Sequence, residues 1–436
     1  MKTLWLATMA ALTLSACAAG SDDPLTGFGL NPPLKAPKSS LLPTVGVPDV
    51  VGWAAGAAPT APPGFTVTRY AEGLDHPRWL LVLPNGDVLA AESASEPSKA
   101  DSSNRGIKGF FQKMLMQKVG SARPSPNKII LLRDANNDGI AETRTDFAQG
   151  LKQPFGMTLV GRTLYVANSD GVVSFPYVAG QTVAAGVGSK LFDLPGPPIN
   201  HHWTKNVVAS PDGSKLYATV GSNSNIGENG LENETGRAAI WEYEIGSAQA
   251  RVYANGIRNP NGLDFEPTTG VLWTVSNERD EIGDDLPPDY LSTVKDGGFY
   301  GWPYSYWGKN VDVRVKPQNP ALVATAIAPD YGLGPHTASL GLTFYRAAAF
   351  PAQYRGGAFI GQHGSWNRKP LNGYRVVFVP FAGGRPQANA QIFLSGFLNK
   401  QHKIQGRPVG VAVDAKGALL VADDVGGIVW RVAPTL

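Results

Sequence analysis

The sequence predicts an all-β fold, a six-bladed β-propeller, on three observations. A weak unit recurs six times along the chain: a turn holding Pro or Gly, a short apolar strand, a Pro/Asp/Gly hairpin and a second apolar strand. Asn-Gly and Asp-Gly pairs join several of the paired runs, and such pairs tolerate the positive φ that tight hairpins demand. Apolar residues at convincing helical spacing occur only over 105–119, where Phe110, Phe111, Met114, Leu115 and Val119 can share one face.

The first unit runs from His76-Pro77-Arg78-Trp79-Leu80 through Pro84-Asn85-Gly86-Asp87 to Val88-Leu89-Ala90. The second runs from Gln153-Pro154-Phe155-Gly156-Met157 to Thr163-Leu164-Tyr165-Val166, and the third from Asn206-Val207-Val208 through Pro211-Asp212-Gly213 to Lys215-Leu216-Tyr217-Ala218. The fourth joins Asn259-Pro260-Asn261-Gly262-Leu263 to Val271-Leu272-Trp273-Thr274. The fifth joins Gly341-Leu342-Thr343-Phe344 to Ala358-Phe359-Ile360, and the sixth joins Arg407-Pro408-Val409-Gly410-Val411 to Ala418-Leu419-Leu420-Val421-Ala422. Units of this length, each holding about four short strands, suit radially packed blades. A single large sandwich would also be all-β, but it would not repeat one unit six times. Blade loops converge on one face around a central channel, so a site assembled from residues distant in sequence is expected.

The chain opens with Met1-Lys2, an apolar run from Leu4 to Leu14, and Leu14-Ser15-Ala16-Cys17. A positive start, an apolar stretch and a small-residue cleavage point make residues 1–16 an export signal. The run is shorter than the roughly 20 residues a bilayer span needs. The stretch around Cys17 resembles the lipobox of bacterial lipoproteins, which implies a mature protein acylated at Cys17. Ala18 after the cysteine favours the outer membrane, facing the periplasm. Residues 17–63 are rich in Pro, Ala, Gly and Ser, a composition that buries little, and read as a tether. The propeller then occupies 64–436. With 38 basic against 35 acidic residues the net charge is +3, a balance that points neither to nucleic acid nor to a membrane surface. Membrane contact is expected only through the anchor. Cys17 is the only cysteine, which excludes an intramolecular disulfide and covalent c-type haem.

Three stretches concentrate chemistry. Asn200-His201-His202-Trp203-Thr204-Lys205-Asn206 holds two of six histidines in a loop that leads into a blade, and a neutral imidazole suits general-base work or metal binding. Asn255-Gly256-Ile257-Arg258-Asn259-Pro260 offers a planar guanidinium and an amide at a turn. Ser276 to Leu286 carries Glu278, Asp280, Glu281, Asp284 and Asp285, an oxygen-rich loop suited either to calcium or to solvent. Asp134-Ala135-Asn136-Asn137-Asp138-Gly139 begins like an EF-hand loop, but its twelfth position is Thr145, which fits an Asx-rich hairpin as well as a calcium loop.

These stretches, with Gly297-Gly298-Phe299-Tyr300-Gly301-Trp302-Pro303, resemble the soluble quinoprotein aldose-sugar, glucose and sorbosone dehydrogenases, nearest their sorbosone-dehydrogenase-like branch. The resemblance implies pyrroloquinoline quinone (PQQ) and Ca²⁺ as cofactors. It also implies oxidation of an aldose or sugar aldehyde by hydride transfer to the quinone, with a separate periplasmic electron acceptor. It puts the general base at His202, with His201 as its neighbour, and the quinone-carbonyl partners at Arg258 and Asn259. Gln153, Arg368 and Arg407 become further cofactor contacts, with His363 and Lys369 beside Arg368. The calcium ligands fall on Asn277 and Glu278, through their carbonyls, and on Asp284 and Asp285 of the same loop. Two rivals stand beside this reading: a calcium-dependent sugar lactonase, which needs carboxylates and amides converging on one metal, and a propeller that only binds a glycan or protein.

Overall fold

The computed structural model describes residues 20–38, 46, 48–96, 124–387 and 390–435. The export signal, Cys17 and the helical stretch at 105–119 lie outside the described residues. Six sheets of four or five antiparallel strands follow one another as blades: one (77–148), two (157–193), three (207–255), four (259–335), five (339–394) and six (408–434). Each of the six repeated units supplies the first two strands of one blade. Blade six takes its outermost strand from the start of the fold, where Phe65–Glu72 pairs antiparallel with Ile428–Pro434. That pairing closes the ring and removes the exposed edges that would otherwise seek partners.

Antiparallel order decides which loops meet. The start of each first strand and the turn between the second and third strands lie at one end of every blade, here called the upper end. His202, Arg258 and Arg407 precede first strands, while the loops 277–288 and 362–375 join second to third strands. All of them therefore gather at the upper end. Neighbouring first strands approach closely there: a Cβ on Gly410 would lie 2.7 Å from the Arg78 carbonyl of blade one, and one on Gly262 would lie 2.6 Å from Leu342 Cβ of blade five. Glycine recurs in the units because only its missing side chain permits that approach.

Aromatic side chains fill the wedges between blades. Trp79 of blade one packs on Phe155 of blade two at 5.0 Å. Tyr345, Phe350, Phe359, Phe393 and Trp430 form one buried cluster across blades five and six.

The segment 17–63 is corrected by the structure, because its described residues do not hang free. Phe28–Gly29 adds a fifth strand to blade four, with Phe28 opposite Leu333. Trp53 donates its indole N–H to Asp423 and packs on Trp430. Composition counts apolar residues, whereas this segment binds through backbone N–H groups, proline faces and one tryptophan.

Candidate active site

The site is built around Gly221. A Cβ at this position would fall well under 3.0 Å from His202 Cβ and 2.5 Å from Asn259 Oδ1, so both side chains close on the bare backbone. The His202 ring stands edge-on to His201, with centroids 4.7 Å apart. Its Nδ1 lies 2.9 Å from the Ser222 carbonyl and 3.0 Å from Ser222 Oγ. A hydrogen on Nδ1 donated to that carbonyl leaves the lone pair on Nε2. Burial, then the Arg258 and His201 charges, hold the His202 imidazole well below its ordinary pKa, so it is neutral near pH 7.

Arg258 is buried behind the histidine. It donates to the Glu278 carbonyl at 2.7 Å, to the Asn225 carbonyl and Oδ1 at 3.1 and 3.0 Å, and to Asp280 at 3.4 Å. At least four of its five N–H donors are thus engaged, and what it offers its surroundings is chiefly charge. Asp280 also accepts from Asn367 Nδ2 at 2.7 Å and faces His336 Nδ1 at 3.4 Å. Burial raises the Asp280 pKa, but His336 and Arg258 outweigh it and bring the carboxyl down to about 2. Burial likewise opposes charge on His336, and Asp280 overcomes it so that the imidazole pKa rises. Asn259 donates to Asn277 Oδ1 at 3.2 Å, while its own Oδ1 is buried without a partner.

A second cationic group closes the ring from the other side. Arg407 donates to the His363 and Gly364 carbonyls at 2.9 and 2.8 Å and lies over the Tyr374 ring. Asp424 accepts from Arg78 and from His363 Nε2, joining blades six, one and five. Burial and Arg407 push His363 down to about 3, so it donates to Asp424 as a neutral ring. Arg78 stacks over Trp203, the residue after His202, at 5.5 Å. Two buried guanidiniums, Arg258 and Arg407, the part-buried Arg78, a neutral imidazole and an unpartnered amide oxygen thus share one end of the channel. Such a set can hold a flat polyanion and can take a proton from a hydroxyl beside it.

The TrAA12-like family pattern matches residues 128–290 and 316–435, well over half of the sequence. The chain belongs to the TrAA12-like family. An uncharacterized protein of Borreliella burgdorferi is 28% identical over 296 residues, covering 65% of this chain and 76% of that protein. A pyrroloquinoline quinone-dependent pyranose dehydrogenase of Coprinopsis cinerea is 27% identical over 292 residues, covering 53% of this chain and 39% of that protein. In fold, the chain is similar to a Trichoderma reesei carbohydrate-active enzyme of family AA12 (TM-score 0.69, 19% identity, 87% of this chain and 98% of that one). It is also similar to the holo PQQ domain of the Coprinopsis cinerea pyranose dehydrogenase (TM-score 0.65, 22% identity, 86% and 97%).

In this TrAA12-like chain the sequence-predicted residues divide. His202, Arg258 and Asn259 come together, and Arg407 lies on the opposite rim. Gln153 lies at the upper end too, but its hydrogen bonds run to Ala94 and Asn127 of blade one. Arg368 is corrected: its donors go to the Asp284, Pro370 and Ser21 carbonyls and to Asp285, so it ties loops together as a buried structural cation. Asp285 is corrected with it, since Arg368 and Lys35 already neutralise it. Asp284 has its carbonyl on Arg368 and a carboxylate oxygen on the Lys369 N–H. The Glu278 carbonyl is taken by Arg258, and the Asn277 side chain is spent on Asn259, Asn261 and Ser339.

Of the four residues read as calcium ligands, Glu278, Asp284 and Asp285 thus have these oxygens engaged by protein donors, and the two aspartates offer no free converging pair. Among the described residues, the one group of three carboxylates close enough to share an ion is Asp134, Asp138 and Glu142. It sits in the turn between the third and fourth strands of blade one, at the lower end. Sequence reasoning missed Arg78, Asp280, His336, Asn367, Asp424 and Gly221 as site residues. Their partners lie as far as 346 positions away, as for Arg78 and Asp424, and no local spacing announces them.

Proposed function

We propose that the chain is a PQQ-dependent oxidoreductase that oxidises an aldose or a sorbosone-like sugar aldehyde. The observation that carries the reading is His202 packed on Gly221, with the buried Arg258 near enough to lower its pKa and the buried Arg407 across the channel. Arg78, Arg258 and Arg407 supply cationic partners for a tricarboxylate. When bound, PQQ supplies the acceptor for the hydride leaving the sugar carbon. His202 Nε2 takes the hydroxyl proton as that hydride departs, and the Ser222 carbonyl holds the ring in the tautomer that can do so. Arg258 keeps the imidazole unprotonated before the reaction and favours negative charge beside it during the reaction. Calcium carries no step here. The electrons then pass to a separate periplasmic acceptor. Among the described residues no helix is long and apolar enough to cross a membrane, and the same proposal holds the chain at the outer membrane through acylated Cys17.

The test is purified protein given PQQ, with and without Ca²⁺, in a dye-reduction screen across aldoses, sorbosone and other aldehydes. Turnover is expected with at least one of them, alongside a raised melting temperature from binding to the native state. His202→Ala should lower turnover by about a hundredfold while PQQ still shifts the melting curve, and His201→Ala should cost much less. An unmoved melting curve at saturating PQQ refutes the cofactor reading, and equal losses at the two histidines refute the base assignment.

A further inference from the structure

The docked N-terminal segment fixes where a lipid anchor would leave the molecule. Gly20 N–H donates to the Lys369 carbonyl at 2.7 Å, Ser21 N–H donates to the Asp285 carboxylate at 3.0 Å, and Arg368 donates back to the Ser21 carbonyl at 2.8 Å. A Cβ on Gly20 would meet Arg368 Nη2 at 2.9 Å and Asp285 Oδ1 at 3.0 Å, so this point is packed as well as bonded. The segment then runs along the upper rim: Lys38 N–H donates to the Ile282 carbonyl, Gly46 N–H to the Trp366 carbonyl, and Val51 N–H to the Ile404 carbonyl.

Only Ala18 and Ala19 lie between Cys17 and Gly20, a span of about 11 Å at full extension. A free coil over 17–63 would instead allow excursions of roughly 40 Å and any orientation. The docked segment replaces that freedom with a short leash at the upper ends of blades four and five.

The same rim carries Trp366, which is 38% exposed and is the one aromatic among the large apolar side chains exposed in the described residues. An exposed tryptophan with a wet edge suits the headgroup layer of a bilayer. The charged neighbours nearly cancel, with Lys35, Lys38, Arg368 and Lys369 against Asp22, Asp23, Glu281, Asp284 and Asp285. Attraction to anionic lipid is therefore not what would orient the protein.

We propose that the upper rim of blades four and five, which carries Trp366, is the surface laid against the lipid bilayer that holds the anchor. This rests on acylation at Cys17. The contact is with neutral and anionic lipid alike, because leash and tryptophan set it. Asn367, next to the docked Arg368, bonds Asp280, which pairs with Arg258. The candidate active site thus lies at the membrane-facing end.

The experiment uses the full-length acylated protein reconstituted in phosphatidylcholine vesicles. Acylation consumes the only native thiol, so one introduced cysteine can carry a nitrobenzoxadiazole probe: Lys369→Cys on the rim, or Val187→Cys, 92% exposed in the turn between the third and fourth strands of blade two at the lower end. Doxyl-labelled lipid should quench the probe at 369 several-fold more than the probe at 187. A Gly-Ser linker inserted after Ala19 should abolish the difference. Equal quenching at both sites without the linker, or stronger quenching at 187, overturns the proposal. The mass of the N-terminal peptide separates the two ways of failing: an unacylated Cys17 removes the anchor and the orientation together, whereas an acylated Cys17 with equal quenching removes the orientation alone.

Discussion

Gly221→Ala is the smallest change that tests the geometry of the site without touching its chemistry. The backbone at 221 lies outside the left-handed region, so alanine adds no conformational strain there, only a methyl carbon. That carbon would sit 2.5 Å from Asn259 Oδ1 and closer still to His202 Cβ. Heavy atoms prefer about 3.5 Å or more, so His202, Asn259 or both must move by about 1 Å. A misplacement of that size costs on the order of a hundredfold in rate, or about 2.7 kcal/mol of activation free energy. The assay is dye reduction by the PQQ-loaded protein, with kcat and KM measured separately. Loss is expected mainly in kcat, because the proton acceptor is displaced while the guanidiniums stay in place. Gly246→Ala is the control, since nothing lies within 4 Å of a Cβ there and its φ is also ordinary. Wild-type turnover in Gly221→Ala, with an unchanged melting temperature, would refute the placement of His202 as the base.

Because His202 is depressed below 6.5 chiefly by burial and by Arg258, kcat/KM should hold steady as pH falls through 6.5 and decline only below it; Arg258→Gln should move that limb upward, and a wild-type limb at or above 6.5 would contradict the assignment. Asp285→Ala leaves Arg368 buried without its carboxylate, which should cost about 3–5 kcal/mol of stability in chemical denaturation, and a loss under about 1 kcal/mol would show the pair to be incidental. Asp280→Asn removes a carboxyl whose pKa falls from 3.8 to about 2 on folding, worth roughly 2 kcal/mol. That stability is present above 3.8 and fades as pH drops toward 2, while the part owed to protonated His336 fades as pH climbs past 6.5 through its raised pKa. The wild-type advantage over the variant should therefore be widest between about pH 4 and 6.5, and a pH-independent difference would exclude the ion pair.

Much of the fold was legible because propeller blades repeat, and local chemistry writes the repeat. Turn pairs such as Asn85-Gly86 and Asp212-Gly213 mark hairpins, and Gly262 and Gly410 mark the strands that crowd the axis. Ring closure by Phe65–Glu72 was not legible, since a strand pairing across more than 350 positions leaves no local trace. In the site, His202, Arg258 and Asn259 were named because the resemblance puts the base and the quinone-carbonyl partners there, and the structure brings the three together. His336 and Asp280 were not, because each acquires its state from the other across 56 positions of sequence. Arg368 and Asp285 misled for a physical reason: a cation and a carboxylate in adjacent loops serve a cofactor, a metal or each other, and only their contacts with each other, Ser21 and Lys35 decide for each other.

One short pattern links fold to function. Four blades are entered through a residue followed by proline: His76-Pro77, Gln153-Pro154, Asn259-Pro260 and Arg407-Pro408. Proline suits the mouth of a first strand, which has no ladder partner on the axis side, because it lacks an N–H to satisfy. The residue before it is carried to the upper end whatever its chemistry. All four are polar and all four are buried, at 4%, 7%, 7% and 5% exposure. Burying polar groups is costly unless they are bonded, and a blade that served only as scaffold would be cheaper with apolar residues there. Two of the four also hold positive φ, 54° at His76 and 47° at Gln153, a conformation that non-glycine residues rarely adopt and that gathers at functional sites. Polarity and burial thus recur at four equivalent positions, with positive φ at two of them, and all four positions face the end of the channel that holds His202. Gln153 and Arg407 meet partners within the protein, whereas the buried, unpartnered Asn259 Oδ1 leaves an acceptor that a polar ligand held at the upper end would satisfy.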